Sequence, residues 1–430
     1  MARNALLDVF RVKELRERVF FTLGMLIVFR LGTVIPIPGI NINALKLYFL
    51  SQQGSSTIGI TEYIDFFVGG AFTNFSVFML GIMPYITMSI IMQLLTVAIP
   101  KLEEMQKEGD EGRKKIAQYT RYVTIGLGFL QAIALSVGLA ASNQKTFLGY
   151  MTIGVCLAAG TALAMWIGER ITENGVGNGV SLLIFSGIIA RVGGTFAQNF
   201  VGLFNSTAVS GGLYSAGSLA GIVILTLILI AAVVFVDLGE RRIPVQYAKR
   251  VVGRKMYGGQ STHIPLKVNS TGVMSLIFGS AIMQFPSTIL AFIPNSGAYE
   301  WWKANVSYSS VWYQLIFALL IFGFTFFYTT ISFNPNEISK NIQQNGGMIP
   351  GIRQGKPTAD FLLRTSNRIT LFAALFLAVL ATVPTLMSKS FNASLPFGAS
   401  SLLIAVSVAM ETTRQLESQM LMRHYKGFLK

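Results

Sequence analysis

The chain has 430 residues, 52% of them hydrophobic and only 12% charged, with a mean hydropathy of +0.56. Soluble globular domains carry about a quarter charged residues, so a soluble enzyme or binding module is excluded. Lys and Arg number 34 against 19 acidic residues, a net +15 that would suit a nucleic-acid partner unless membrane orientation accounts for it.

In chain order, the N-terminal "MARNALLDVFRVKELRERVFF" reads as an amphipathic basic segment running into a first span. It has no small-residue cleavage site and is not read as a removable signal peptide. Crossing ~30 Å of hydrocarbon takes about 20 apolar residues. Such runs fall at roughly 19–37, 76–99, 119–140, 150–168, 180–202, 217–237, 270–293, 311–333, 367–387 and 398–413, and a further apolar piece at 64–75 is too short to cross. The second run contains "GIMPYITMSII", with Ile82, Ile86 and Ile90 on one helical face and Pro84 among them. A proline inside a span frees a carbonyl that neighbours or water must satisfy, so the expectation is a bent helix presenting a stripe of isoleucines.

Placing the charges on this map explains most of the basicity. With both tails and the even-numbered gaps on one side, that side holds 28 Lys and Arg and the other only Lys46, Lys145, Lys303 and Lys389. Positive charge marks the cytoplasmic side, so both termini are expected there. Ten spans divide into five and five, and an odd number per half inverts one half relative to the other, the arrangement of inverted repeats around a central path. Pro84 and Pro286, each in the second span of its half, are a weak echo of such a repeat, with 203–216 as the external hinge loop.

No Asp, Glu or His stands in the middle of a span, where ion-coupled transporters place one, which favours a channel with a steric, apolar barrier. A lone Cys156 in an apolar run permits no intrachain disulfide and reads as packing, and His263 and His424 have no partners, so neither metal nor cofactor is expected. Two cytoplasmic loops, 237–269 and 334–368, are longer than a connection needs. In the first, Ile243, Val245 and Tyr247 alternate like a hairpin strand. In the second, Gly346, Gly347, Pro350 and Gly351 mark a tight tip presenting Arg353. Ordered basic protrusions of this kind suit docking of a large cytosolic partner.

Five segments, in order, carry a resemblance: "GIMPYITMSIIMQLL" (81–95), "GERITENGVGNGVSLLIF" (168–185), "RRIPVQYAKR" (241–250), "STHIPLKVN" (261–269) and "PGIRQGKPT" (350–358). Together they resemble SecY, the central subunit family of the bacterial protein-conducting channel, over essentially the whole chain. Gln354 departs from the family, which often has proline there, and that loosens the expected tip. The resemblance implies an all-α polytopic membrane protein whose ten transmembrane helices form two inverted five-helix halves, a clamshell with a short plug helix. The divisions would be a cytoplasmic N-terminal segment 1–18, an N-terminal half 19–202 with the plug at about 62–76, the hinge loop 203–216, a C-terminal half 217–413 and a cytoplasmic tail 414–430.

By motif alignment the resemblance also implies a pore ring of Ile82, Ile86, Ile184, Ile188, Ile277 and Ile404. The plug would comprise Asp65, Phe66, Phe67, Val68, Gly69, Gly70, Ala71 and Phe72. A lateral gate would lie near Thr87, Gln93, Asn269 and Phe285, with Gln93 and Asn269 as candidates for a hydrogen bond across the seam. Arg241, Arg242, Lys249, Arg250 and Arg353 would dock the SecA motor ATPase or the ribosome. The small SecE and SecG subunits, unfolded preproteins, signal peptides and lipids are the other implied partners, in the bacterial cytoplasmic membrane. "GVGNGVS" (175–181) lacks the Gly-Lys-Ser/Thr ending of a nucleotide-binding loop, so no enzymatic activity or direct nucleotide binding is expected, and the glycines read instead as a turn into the fifth span. The competing readings are a secondary transporter with a central solute site, and a scaffold or insertase without a pore.

Overall fold

The computed structural model describes residues 12–38, 40, 68–138, 147–204, 216–247, 250–252, 255–257, 261–269, 274–291, 297, 301–302, 305–306, 310–390 and 399–427. A helix occupies each expected span: α1 (Lys13–Gly32), α2 (Met83–Ala98), α4 (Asp110–Gly138), α5 (Phe147–Asn174), α6 (Gly179–Phe204), α7 (Ala216–Leu238), α8 (Met274–Ala291), α9 (Val311–Ser332), α11 (Lys356–Ser390) and α12 (Ala399–Gly427). Two short helices, α3 (Pro100–Lys107) and α10 (Pro335–Gln344), lie between them. Taken singly, Phe147–Asn174, Val311–Gln344 and Lys356–Thr382 are long and apolar enough to cross a membrane, and α2 with α3 forms a fourth candidate bent by 100°. Outward faces are apolar where lipid would sit: Ile224, Leu227 and Phe235 on α7, Trp312 and Leu319 on α9, Phe372 and Val379 on α11 are exposed.

Proline positions explain how α2 begins and ends. The helix starts later than the apolar run suggests, with Ile82 as its N-cap and Pro84 in its first turn. There the missing N–H had no intrahelical partner to lose, so Pro84 starts the helix rather than bending it. At the other end Ile99 is extended and Pro100 opens α3, which is where the bend falls. Pro286 lies well inside α8, so the two prolines do not occupy equivalent positions, and their echo is not a repeat signature.

The packing order carries the repeat. In the first half α2 packs on α4, α4 on α5 and α5 on α6; in the second, α8 packs on α9, α9 on α11 and α11 on α12. The second-to-third, third-to-fourth and fourth-to-fifth contacts therefore recur span for span. The halves meet where α8 touches α2 and α4 and where α6 touches α12.

Between α7 and α8, β1 (Glu240–Tyr247) pairs antiparallel with β4 (Ser261–Lys267) from Glu240↔Lys267 to Gln246↔Ser261. Between them β2 (Arg250–Val252) and β3 (Lys255–Tyr257) form a second small hairpin. The two-residue β5 (Gly347–Met348), from the other long loop, joins β1 opposite Gln246 and Tyr247 and completes the order β4-β1-β5. Because β5 is so short, Pro244 has a strand on one side only and its missing donor breaks no ladder there. Ile243 and Val245 point inward and pack with Leu266, Ile342, Ile349 and Leu362, a core shared by the sheet, α10 and α11. Asn334 caps α10 by accepting from the Glu337 N–H at 3.4 Å, with Pro335 in the first turn.

Candidate functional site

All six ring isoleucines are buried, between 1% and 6% exposed, and all belong to one contiguous apolar cluster. They arrive from four helices and both halves: Ile82 at the cap of α2 and Ile86 within it, Ile184 and Ile188 on α6, Ile277 on α8 and Ile404 on α12. These four helices make two of the contacts through which the halves touch, α2 with α8 and α6 with α12. Ile90 joins the same cluster, so burial alone does not divide the ring from the next turn of α2. Each isoleucine kept from water is worth about 2 kcal/mol, and none of the six carries a group that could solvate an ion.

Directly beside the ring lies the segment read as the plug. Asp65, Phe66 and Phe67 lie outside the described residues. Val68 and Ala71 are buried in the ring's own cluster, whereas Phe72 packs in a neighbouring one with Ile37, Phe75 and Met79. A short helix is expected over about 62–76; Val68 is helical, and residues 69–75 form turns, because Gly69 and Gly70 take φ of +67° and +90° and Phe75 takes +47°. Left-handed backbone interrupts a right-handed helix, and glycine adopts it at no steric cost. The far end of the turn is pinned by backbone bonds, from Ile37 N to Phe75 O and from Val77 N to Ile35 O, each 3.0 Å.

The seam between α2 and α8 exists, but its polar residues do not meet across it as expected. Asn269 donates to Asp237 Oδ1 at 3.0 Å, while Gln93 is exposed on the outer face of α2. Asp237 ends α7 and also accepts from Arg414 of α12, at 2.6 Å through its backbone carbonyl. Asn269 therefore staples elements of the second half to one another. Thr87 spends its hydroxyl on Met83 O, 3.0 Å away on its own helix. Phe285 lies on α8, and its side chain is outside the described set.

Of the docking residues, Arg241, Arg242 and Arg353 are exposed, Arg250 opens β2, and Lys249 lies outside the described residues. Arg242 is paired with Glu240, 2.6 Å through Nε. Arg241 and Arg368 flank a cavity of about 340 Å³ lined by Val268, Phe361, Thr365, Ile369 and Phe372. The tip bearing Arg353 is firmly built, which corrects the expectation that Gln354 loosens it. The Gln354 amide donates to Gly347 O at 2.9 Å, Ser339 Oγ to Gly355 O at 2.7 Å and Thr358 Oγ1 to Arg353 O at 2.8 Å. Gly346, Gly351 and Gly355 supply the left-handed turns. The glycine loop before α6 is a turn, as expected, with Gly177 at φ +81° and Val176 N donating to Thr22 Oγ1 of α1 at 3.1 Å.

Two features escaped the sequence reading. Arg30, placed only near the end of a span, donates from Nη1 to Gly69 O at 3.0 Å and from Nη2 to the carbonyls of Ser186 and Gly187, the latter at 3.3 Å. A lone arginine in an apolar run was the available signal. The strand β5, by contrast, is two residues long and leaves no periodic trace.

An apolar cluster shared by two sets of helices with the same packing order, with a turn packed into it, is what a multi-pass α-helical membrane protein of the channel class presents. Residues 76–413 match the SecY family model. The chain is 43% identical to the protein translocase subunit SecY of Streptomyces galbus, covering 99% of this chain and 100% of that one. It is 42% identical to that of Thermotoga maritima, over 99% and 98%. The fold matches a solved protein-conducting channel at a TM-score of 0.66 and 20% identity, over 94% of this chain and 92% of the other. It matches a SecY structure in a study of the plug domain at 0.61 and 21%, and Sec61 in a canine ribosome–channel complex at 0.59 and 20%, with the same coverage in both. The chain belongs to the SecY family.

Proposed function

We propose that this protein is a channel that conducts unfolded secretory chains across the bacterial cytoplasmic membrane, both termini cytoplasmic, and releases apolar segments sideways into lipid. The observation that carries this reading is the single apolar cluster in which six isoleucines from α2, α6, α8 and α12 meet Val68 and Ala71 of the adjoining turn. A constriction of branched apolar side chains excludes ions by dewetting, yet it can yield around a passing chain without reading its sequence. Residues 19–202 and 217–413 are the two halves. The seam between α2 and α8, near Thr87 and Phe285, is the lateral gate, now without a Gln93–Asn269 bond. The segment at 62–76 is the plug; the SecY relative of known structure is described as having a plug domain that stabilises its closed state.

The sheet β4-β1-β5 with Arg241, Arg242 and Arg353 forms the docking face for the SecA motor or the ribosome. Sec61 is known in complex with a ribosome. Basic groups on a rigid sheet suit acidic protein surfaces and RNA phosphates alike. SecE and SecG complete the membrane complex. This is the work of a channel rather than an enzyme, with the energy supplied by the partner. The curated relatives are translocase subunits, so nothing supports a central solute site.

The deciding experiment reconstitutes the protein with SecE, SecA and ATP in vesicles and follows a signal-bearing precursor. Protection of the precursor from external protease, dependent on its signal and on ATP, is expected. Solute-coupled ion flux with no protected precursor would overturn the reading.

A further inference from the structure

We propose that Arg30 is the positioning residue that holds the waist closed at rest, by tying the plug turn to α6. This inference rests on the channel reading above. Arg30 stands in the last turn of α1, half-buried, and reaches three backbone carbonyls on two other segments: Gly69 of the turn, and Ser186 and Gly187 of α6. A cation inside a span is costly unless it pairs with carboxylates or carbonyls. Arginine alone has a planar fork of donors that can serve several carbonyls at once.

The geometry around Gly69 leaves no slack. At φ +67°, a Cβ there would stand 2.6 Å from Arg30 Nη1 and 2.8 Å from the Cα of Gly187. Two glycine backbones therefore meet face to face under the guanidinium. The neighbour of Gly69 is Val68, which lies in the same cluster as Ile184 and Ile188, one helical turn apart on α6. Arg30 thus fixes, through one carbonyl, how deep Val68 and Ala71 sit in the waist.

The two ends of the turn are held by different means. Backbone pairing of 35–37 with 75–77 secures the far end, while Arg30 secures the near end. Breaking the Gly69 bond frees the near end to swing about the far one. Arg30 keeps its two α6 carbonyls when that happens, so opening does not leave the charge without acceptors. The closure is thereby held by a contact that can be broken and remade.

The test measures resting conductance of the purified complex in planar bilayers, without precursor, for wild type, Arg30→Gln, Arg30→Lys, Gly69→Ala and a deletion of 69–72. Arg30→Gln is expected to open about tenfold more often than wild type, the factor for one lost charge-assisted hydrogen bond. Arg30→Lys, a point donor without the fork, falls between. Gly69→Ala, whose Cβ would press on Arg30 and on Gly187, leaks like Arg30→Gln, and the double variant leaks no more than either. If Arg30→Gln does not fold, Arg30→Lys decides, because it keeps a cation at the site and lacks only the fork. Tight Arg30→Gln and Gly69→Ala channels beside a leaking deletion would overturn the latch alone. So would a lowered melting temperature with no added leak, the mark of a purely structural staple. A deletion as silent as wild type would overturn the channel reading itself.

Discussion

At the waist, six isoleucines from four helices bury only methyl and methylene groups against one another. In the sheet, β1 buries Ile243 and Val245 on one face and turns Arg242 outward on the other, with Arg241 exposed near the strand's start. The waist's apolar contacts have no direction, which is what the proposed waist needs in order to part and reseal around any chain. The sheet is held by directional backbone ladders and a tip locked by Gln354, Ser339 and Thr358, so its arginines keep a fixed arrangement. On the proposed function, one region works by being indifferent to sequence and the other by presenting a defined surface, and their chemistry differs accordingly.

Substitutions can separate the two regions. Leu362→Ala, in the fully buried centre of the sheet's core, is expected to cost about 3 kcal/mol of local stability. Hydrogen exchange of the 240–247 amides would rise, with resting conductance unchanged; exchange unchanged there would detach α11 from the platform. Ile404→Asn puts an amide among apolar side chains and costs about 2 kcal/mol of closure. Resting ion leak should increase some tenfold in planar bilayers while SecA binding stays intact, and a tight channel would remove Ile404 from the ring. Arg353→Glu reverses a charge at the tip and should lower SecA-driven protection of a precursor about tenfold with the waist still sealed. That loss should shrink at higher salt only if it is electrostatic. Gln354→Ala removes one neutral hydrogen bond, worth about 1 kcal/mol, and should give the smallest change, a modest rise in protease cutting at 346–355.

Much of this molecule was legible in the sequence because a bilayer imposes one-dimensional rules. Long apolar runs located ten of the twelve described helices, and alternation at Ile243, Val245 and Tyr247 located β1. Where the reading went astray, an identical residue type had two physical meanings. Pro84 looks like a kink until the helix is seen to begin beside it. Gly69 and Gly70 look like flexibility within a short helix, but their left-handed backbone makes a turn instead. Gln93 and Asn269 are both polar groups flanked by apolar ones, yet only Asn269 faces inward, and its partner is Asp237 on its own half.

What the sequence determined by itself is the class: a helical membrane protein with a strong charge bias between its loops, and a family resemblance borne by five ordered motifs. Hydrophobicity and charge bias act residue by residue against lipid and water, so they need no knowledge of distant neighbours. Only the tertiary structure decided which residues meet. It brought Ile82 of one half to Ile404 of the other in one cluster, joined two loops through a two-residue strand, and set Arg30 against carbonyls 39 and 157 positions away. Those pairings depend on where helices pack in three dimensions, and no local pattern encodes them.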